Sequence, residues 1–472
     1  MSENNKQDLI VIGAGPGGYV AAIRAAQIGM TVRIIEKETI GGTCLNVGCI
    51  PTKALYANAG TVNTFRNSAY HGIISSGFEL DMKAVLRNKK KIVKQFTLGV
   101  KSLLKANKVK TVIGTAKFFG LSELEVETAE GRIERHTADH IIIATGSKSA
   151  ALPANGADLD VVINSTGALE LETVPEHMLV VGAGVIGIEL AGIYRSFGSK
   201  VTVIEFMPNI LPNMDHEVAS KLQKEMEKAG IRFFLDSKVV SIEKKDGRAA
   251  AKIESGGQTF EETCDVVLNA TGRLPNIDGL NLEALGIQHD RQGFIAVDEN
   301  YETSVKGVYA IGDVIPGFML AHVASAEGIV AVERINGQDS EVDMNLIPQS
   351  VFSFPEFSSI GKTEEELIAQ NIDYIASRSY FRGNGKALTM HDAEGIIKVL
   401  ASPDLQTILG VHILGPHAND LIAESAAAMY SMLTIEEYAS IMRGHPTLSE
   451  ALAEAVENFL GTAIHVPPQR KK

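Results

Sequence analysis

Residues 9–36 read LIVIGAGPGGYVAAIRAAQIGMTVRIIE, and residues 179–205 read LVVGAGVIGIELAGIYRSFGSKVTVIE. Each stretch runs from an apolar strand through a glycine-rich turn and a helical segment to a second strand, which ends in an acid, Glu36 or Glu205. In both, the acid lies 23 positions after the first glycine of the turn. A single glycine-rich turn occurs for packing reasons alone, whereas two complete copies of the pattern indicate a function.

The repeated pattern predicts two Rossmann-like dinucleotide-binding units in an α/β protein. Glycines let the backbone turn tightly and approach a pyrophosphate at the N-terminus of the helix. The acid at the end of the second strand can accept hydrogen bonds from a ribose. The glycines concerned are Gly13, Gly15 and Gly18 in the first unit and Gly182, Gly184 and Gly187 in the second.

Further strands and a change of character define the predicted domains. Apolar strands ending in Ala-Thr-Gly close the two units, and a later strand ends at Asp313, where a carboxylate is well placed for a polar cofactor. From about Leu346, strands predicted at 374–380, 395–400 and 407–414 and a helix predicted at 419–432 indicate a separate α+β domain. We therefore expect a first dinucleotide-binding domain at 1–150, a second at 151–273, a return to the first at 274–344 and an interface domain at 345–472.

Composition excludes several classes of function. The 472 residues carry a net charge of −13, which disfavours non-specific nucleic-acid binding. The basic cluster at 87–91 has apolar neighbours at helical spacing, which is typical of the solvated face of a helix. No apolar stretch approaches the ~18 residues of a membrane helix, and the short polar start predicts no signal peptide. We expect a cytoplasmic protein without structural disulfides.

The run GGTCLNVGCIPTK at 41–53 holds two of the three cysteines in the chain. A close pair, Cys44 and Cys49, indicates redox chemistry or a metal site. A zinc half-site, two buried thiols and a passive bridge are the alternatives. Zinc would need two further ligands, and the remaining cysteine, Cys264, is isolated and has the character of an inert apolar residue. The pattern favours a redox pair and predicts no metal.

The two glycine units, the cysteine run and the sequence HPTLSE at 445–450 occur in this order. Together they resemble the flavin-dependent pyridine nucleotide-disulfide oxidoreductases of class I from Leu9 to about His465, and most closely those members that oxidise dihydrolipoamide. The resemblance implies FAD at the first unit, NAD at the second and a C-terminal dimerisation domain. A flavin is chemically apt, because it links two-electron thiol chemistry to hydride transfer.

The resemblance also implies roles for individual residues. Cys44 would exchange with the substrate and Cys49 would contact the flavin. A helix beginning near Cys44 would favour a thiolate there. His445, oriented by Glu450, would deprotonate the dithiol and would reach the cysteines of the opposite subunit, so that catalysis requires a homodimer.

Other cofactor contacts follow from the resemblance alone. Lys53 would lie near the flavin with Glu189 as its ion-pair partner. The remaining positions implied for the two cofactors are Gly114, Thr145, Gly146, Ser147, Asp313, Met319, Leu320, Ala321, His322, Val239 and Gly272, in addition to the glycines and acids of the two turns.

The choice of nicotinamide and substrate separates the rival members of the family. Glu205 is followed by Phe-Met-Pro with no arginine, and a carboxylate would repel the 2′-phosphate of NADP, so NAD is expected and a glutathione reductase is not. A mercuric reductase would carry a second cysteine pair near its C-terminus, and 459–472 has none. A non-catalytic scaffold subunit would have no use for the intact cysteines or for His445 and Glu450. The expected partner is a lipoyl-bearing acyltransferase of a 2-oxoacid dehydrogenase complex or the glycine cleavage H protein.

Overall fold

The computed structural model describes residues 6–467. Its helices, in chain order, are α1 Pro16–Gln27, α2 Gly42–Val47, α3 Cys49–Arg66, α4 Met82–Ala106, α5 Ser165–Ala168, α6 Val185–Phe197, α7 His216–Lys228, α8 Ala321–Ile335, α9 Glu364–Ala369, α10 Gly385–Thr389, α11 Ala418–Tyr430, α12 Ile435–Ser440 and α13 Ser449–Glu457. None of the helices within 6–467 is long and apolar enough to span a bilayer.

The strands are β1 Lys6–Ile12, β2 Val32–Glu36, β3 Lys110–Gly120, β4 Glu123–Thr128, β5 Ile133–Ile143, β6 Ser147–Ser149, β7 Val162–Asn164, β8 His177–Val181, β9 Lys200–Ile204, β10 Ile231–Phe234, β11 Ser237–Lys245, β12 Arg248–Ser255, β13 Gln258–Cys264, β14 Val266–Asn269, β15 Arg273–Pro275, β16 Val308–Ala310, β17 Gln349–Val351, β18 Glu356–Gly361, β19 Ile375–Tyr380, β20 Ile396–Ala401 and β21 Ile408–Gly415. The chain forms two compact units. One comprises the described residues up to 55 with 83–150 and 272–344, and the other comprises 56–82, 151–271 and the described residues from 345 onward.

The first unit is built on a parallel sheet in the order β3-β2-β1-β5-β16. Residues 114–120 of β3 and 133–137 of β5 pair antiparallel with β4. Strand β1 is buried on both faces over Leu9–Ile12, as expected for a central parallel strand. Helix α1 begins at Pro16 immediately after the glycine turn, and proline suits the first helical turn because its missing N–H has no partner there anyway.

The second unit contains a parallel sheet in the order β10-β9-β8-β14-β7 and a three-stranded antiparallel sheet, β11-β12-β13. Its C-terminal part is an antiparallel five-stranded sheet in the order β17-β18-β21-β20-β19, against which α11 and α13 pack. The predicted α/β architecture of two Rossmann-like domains with a C-terminal α+β domain is therefore confirmed. Strands predicted at 374–380, 395–400 and 407–414 each lie within one residue of those observed.

The basic cluster at 87–91 lies on α4, but it is not entirely solvated as expected. Lys89 is buried, with only 2% of its surface exposed. At 3.6 residues per turn it shares a face with Val85 and Leu86, both of which are buried. Phe96, another apolar residue of α4, is exposed, whereas Val85, Leu86 and Val100 are buried. The inward-packing face of α4 is therefore mainly apolar and also includes Lys89.

Candidate active site

The first glycine turn has the geometry of a phosphate cradle. Gly13 has φ +100°, and a Cβ there would lie 2.3 Å from the carbonyl oxygen of Ala144. A Cβ at Gly18 would lie 1.9 Å from the carbonyl oxygen of Gly13, so the start of α1 can pack against the turn only as glycine. Gly15 caps α1 with φ −70°, a conformation open to any residue. The N-terminus of α1 is therefore held open toward a pyrophosphate.

The second turn repeats this geometry. Gly182 has φ +105° with a Cβ position 2.4 Å from the carbonyl oxygen of Ala270, and a Cβ at Gly187 would lie 1.9 Å from the carbonyl oxygen of Gly182. No atom lies within 4 Å of a Cβ built on Gly184. The third glycine therefore serves helix–strand packing, while the second leaves space in front of the helix.

The acids that end the two units bind their own turns. An Oε2 atom of Glu36 accepts the N–H of Ala14 at 2.8 Å, and Oε2 of Glu205 accepts the N–H of Ala183 at 2.5 Å. Both carboxylates are more than nine-tenths buried. Each thus fixes the glycine turn in addition to the ribose contact inferred from the sequence, which stays a prediction.

Substitution of the second and third glycines separates these roles. Gly187→Ala is expected to destabilise the protein by about 1–3 kcal/mol, because the methyl group would overlap the carbonyl oxygen of Gly182. Gly184→Ala is expected to leave the unfolding transition unchanged. It should raise the KM for NAD⁺ about tenfold, because the methyl group would cost about one hydrogen bond between the backbone and the cofactor. Thermal unfolding and steady-state kinetics measure the two effects. Equal destabilisation by both variants would contradict this division.

The cysteine run packs directly on the first turn. Helix α2 carries Cys44, and Cys49 is the first residue of the longer α3. A Cβ built on Gly42 would lie 2.6 Å from the Cα of Gly15, and the N–H of Gly41 donates to the carbonyl oxygen of Ala14 at 2.8 Å. The structure therefore brings the thiol pair and the first dinucleotide turn together at one place.

The two thiols are half-buried, are not joined by a disulfide and are hydrogen-bonded to each other. The hydrogen bond to Cys49, followed by burial, holds the pKa of Cys44 well above its ordinary value, although the charge of Lys53 opposes this. The roles of Cys44 as the exchanging cysteine and of Cys49 as the one that contacts the flavin stay predictions. Cys49 is the residue that lies at the positive end of the long helix.

The other positions predicted to contact the flavin fall into two groups around the same turn. Thr145–Ser147 follow the end of β5, and Asp313 lies in a 3-10 turn after β16, with the Ser147 hydroxyl donating to the Asp313 carboxylate. The run Met319–His322 enters α8, which packs closely on α1, since a Cβ at Gly328 would lie 2.7 Å from the carbonyl oxygen of Gly17. Gly114 lies apart from these in β3, where a Cβ would meet the carbonyl oxygen of Glu127 at 2.6 Å.

Four predicted positions remain, namely Glu189, Lys53, Val239 and Gly272. The carboxylate of Glu189, buried on α6, accepts the backbone N–H of Phe352 at 3.0 Å. Lys53 is on α3, and its pairing with Glu189 stays a prediction. Val239 is buried in β11, and Gly272 adopts φ +140°. Within residues 6–467 no cluster of three or more His, Cys, Asp or Glu side chains is arranged to hold a metal. Burial raises the pKa of the isolated thiol of Cys264 to about 12.

His445 and Glu450 form the predicted pair. Nδ1 of His445 lies 2.8 Å from Oε1 of Glu450, and Oε2 of the same carboxylate accepts the N–H of Thr447 at 2.8 Å. The hydrogen bond from Thr447, followed by that from His445, holds the pKa of Glu450 below its ordinary value. A carboxylate on Nδ1 fixes the imidazole so that Nε2 is the basic nitrogen. That imidazole is 79% exposed in the single chain.

The family model of the pyridine nucleotide-disulphide oxidoreductases matches residues 7–328, and that of their dimerisation domain matches residues 347–456. The chain belongs to this family. It is 42% identical over 469 residues to the mitochondrial dihydrolipoyl dehydrogenase of Pisum sativum, covering 98% of this chain and 94% of the relative. It is 41% identical over 459 residues to the dihydrolipoyl dehydrogenase of Geobacillus stearothermophilus, covering 97% of each.

Solved structures agree with this membership. LpdA from Mycobacterium tuberculosis superposes with a TM-score of 0.88 at 26% identity, covering 96% of this chain and 99% of that one. The Cu(II) complex of the flavoprotein disulfide reductase RclA from Escherichia coli superposes with a TM-score of 0.86 at 26% identity, with the same coverage. As a pyridine nucleotide-disulphide oxidoreductase the chain is an enzyme that uses FAD and NAD.

The residues around the first turn suit the flavin that the family uses. The hydroxyl oxygen of Thr145 is buried and has no hydrogen-bond partner within the described part of the chain. Polar atoms are rarely left in that state, so a ligand atom is a natural partner. The open N-terminus of α1 lies in the same unit as Thr145, Asp313 and the thiol pair.

Two arginines near the site were assigned no role from the sequence. The nearly buried guanidinium of Arg443 binds Glu424 at 2.8 Å and the carbonyl oxygens of Tyr438 and Ile441. It thereby holds the loop that leads to His445. Arg273 binds Ser147 and is considered below. Their partners lie 2 to 126 positions away along the chain, and only the short-range ones could have been suspected from the sequence.

Proposed function

We propose that this oxidoreductase oxidises protein-bound dihydrolipoamide to lipoamide and reduces NAD⁺ to NADH. The observation that carries the proposal is the packing of the Cys44–Cys49 run on the first dinucleotide turn, where Gly42 contacts Gly15. Relatives of 41–43% identity that bear the name dihydrolipoyl dehydrogenase match nearly the whole chain and support the same substrate.

The proposed thiol chemistry uses Cys44 as the exchanging cysteine and Cys49 as the one that would contact the flavin. In the oxidised enzyme, a substrate thiolate attacks the sulfur of Cys44, the Cys44–Cys49 bond breaks, and Cys49 leaves as a thiolate. The second substrate sulfur then attacks the substrate sulfur of the mixed disulfide, releasing lipoamide and leaving Cys44 reduced. His445, through Nε2, accepts the proton from the attacking thiol. FAD held at the first glycine turn would supply the two-electron chemistry that connects the thiol pair with NAD⁺.

Each active site is proposed to be completed by a second copy of the chain. The dimerisation domain supports a homodimer. Large apolar side chains in this domain are exposed in the single chain, among them Met432 at 85% and Met442 at 95%. Extensive exposure of this kind is typical of an interface. Met442 lies three residues before His445. If Met442 is buried in the dimer interface, the imidazole of His445 lies close to the partner subunit.

The physiological partner is proposed to be a lipoyl-bearing acyltransferase of a 2-oxoacid dehydrogenase complex or the glycine cleavage H protein, because both present the same lipoyl group. A cytoplasmic location stays a prediction. Affinity purification of the full-length chain from its native cells should recover one of these lipoylated proteins, and recovery should depend on the lipoyl modification.

Anaerobic reduction of the purified holoenzyme tests the function. Dihydrolipoamide is expected to produce a long-wavelength band from a thiolate in contact with the flavin, and NAD⁺ should then be reduced to NADH. Reduced glutathione and NADP⁺ serve as the alternative substrates. An enzyme that turned over glutathione faster than dihydrolipoamide, or that showed neither response, would overturn the proposal.

Glu450→Gln is expected to lower kcat about tenfold to a hundredfold, within the ~10²–10⁴-fold contributed by a general base as a whole. The amide can still accept the N–H of Thr447 but cannot stabilise a protonated imidazole. Glu454→Gln is a matched control, because Glu454 lies on the same helix α13 and binds another exposed histidine, His465, at 2.7 Å. Steady-state assays with dihydrolipoamide measure both variants, and an equal loss in the control would contradict the assignment.

A further inference from the structure

A short segment of the first unit runs beside the residues that follow β5. Strand β15 pairs antiparallel with β6, so that Arg273 lies opposite Ser149 and Pro275 opposite Ser147. The N–H of Asn276 donates to the carbonyl oxygen of Gly146 at 2.9 Å. The backbone of Arg273 is therefore held in register with the Thr145–Ser147 segment, which faces the predicted flavin site.

The guanidinium of Arg273 binds Ser147 twice. Its Nε donates to the Ser147 hydroxyl oxygen at 2.7 Å, and its Nη2 donates to the Ser147 carbonyl oxygen at 2.7 Å. The same hydroxyl donates to Oδ2 of Asp313. A guanidinium can donate hydrogen bonds but cannot accept them, so the Ser147 hydroxyl cannot donate its proton to Arg273. The hydroxyl donates that proton to Asp313 instead. The three residues thus form a chain of hydrogen bonds with a single direction.

The backbone of Asp313 is held from the opposite side by a different group. Oε2 of Glu327, buried on α8, accepts the N–H of Gly312 at 2.6 Å. Glu327 therefore fixes the turn, whereas the position of the Asp313 carboxylate depends on Ser147 and, through it, on Arg273. This division allows the two effects to be tested separately.

The charge of Arg273 has two counterparts. Burial lowers the pKa of its guanidinium, and the negative charges of Asp313 and Cys49 act in the opposite direction. An arginine remains protonated in proteins, so the cation persists. The Asp313 carboxylate therefore keeps a cationic neighbour, to which it is linked through Ser147.

We propose that Arg273 is a positioning residue: through Ser147 it fixes the Asp313 carboxylate, which is predicted to contact FAD. The inference rests on the proposed function for the role of Asp313. It goes beyond that function because it makes FAD affinity depend on a residue that was not predicted to contact the cofactor.

Three variants test this role. In Arg273→Met the two hydrogen bonds to Ser147 are lost, so FAD should bind about 10- to 100-fold more weakly, as expected for hydrogen bonds to charged groups. Ser147→Ala interrupts the same chain of hydrogen bonds at its middle and should weaken FAD binding to a similar degree. Arg273→Lys keeps a charge but cannot bind Ser147 in the two-pronged manner, so it should restore FAD affinity only in part.

FAD affinity is measured by reconstitution of the apoprotein, and thermal unfolding of the apoprotein shows that each variant is folded. Neither readout needs dihydrolipoamide, so the inference can fail while the proposed function holds, and the reverse. Arg132→Met is the control, since Arg132 is an exposed arginine paired with Glu130. Unchanged FAD affinity in Arg273→Met would overturn the proposal, as would additive losses of FAD affinity in the double variant Arg273→Met with Ser147→Ala.

Discussion

Cys44→Ser is expected to reduce the oxidation of dihydrolipoamide by at least about a thousandfold, as removal of a catalytic nucleophile does. A serine hydroxyl cannot form the mixed disulfide, and the third cysteine, Cys264, is buried in the second unit. Reduction of the bound flavin by NADH should persist, because that half-reaction uses the second dinucleotide turn. Stopped-flow absorbance measures the two half-reactions separately.

The two cysteines are expected to respond differently to substitution. Loss of Cys44 should leave Cys49 able to form a thiolate at the positive end of α3, so the long-wavelength band between Cys49 and the flavin should persist. Cys49→Ser should abolish that band. Cys264→Ala is the matched control, because that thiol is buried in the second unit and has no proposed part in the reaction. Turnover of dihydrolipoamide by Cys44→Ser would show that the nucleophile is wrongly assigned.

Lys398→Met is expected to destabilise the protein by about 3–5 kcal/mol, since it removes one partner of a buried ion pair. Lys398 in β20 has no exposed surface and binds Asp215 at 2.8 Å, Glu217 at 3.2 Å and the carboxylate of Glu364. Asp215 is also fully buried and caps α7 by accepting the N–H of Val218. Without the ammonium group, these carboxylates would lie close together with Arg378 as the remaining cation beside Glu217 and Glu364.

The pKa of Lys398 indicates the pH range of this effect. Burial lowers it, but the hydrogen bonds that Lys398 donates to Asp215 and Glu364 outweigh burial, so the pKa of the folded state is raised. The contribution of the lysine to stability is therefore complete below the pH at which an unfolded lysine titrates, and it is lost as the pH rises through the higher folded value. The difference between wild type and Lys398→Met should be constant across neutral pH and should shrink under alkaline conditions.

Urea unfolding followed by circular dichroism measures this difference, since the chain contains no tryptophan. The double variant Lys398→Met with Asp215→Asn should recover part of the loss, because the amide retains the cap of α7 and removes the unpaired charge. Lys238→Met, which breaks the exposed pair with Glu254, should change the free energy of unfolding by less than about 1 kcal/mol. A loss in Lys398→Met no larger than in Lys238→Met would contradict the prediction.

Much of the candidate site was predictable because its parts are local. A strand, a turn, a helix and a second strand are contiguous in each dinucleotide unit, so the spacing of Gly13 and Glu36 is a property of the sequence alone. The pairing of His445 with Glu450 spans five positions and follows from one turn into α13. In such segments the residues that interact are also neighbours along the chain.

Other features depended on packing between distant segments. The basic cluster at 87–91 did not reveal that Lys89 is buried, because the face of a helix that packs inward depends on the segments that surround it. Arg273 reaches Ser147 across 126 positions, and Lys398 reaches Asp215 across 183. Neither residue carries a local signal, since a lysine or an arginine in a strand is ordinarily assigned to the surface.

The sequence by itself determined that this chain binds two dinucleotides and carries a thiol pair, because glycine spacing and cysteine spacing are local and chemically restrictive. Only the tertiary structure decided that Gly42 contacts Gly15, that Lys89 is buried, and which cations balance Asp313 and Asp215. The physical reason is that protonation and burial of charge depend on all groups within a few ångströms, whatever their separation along the chain.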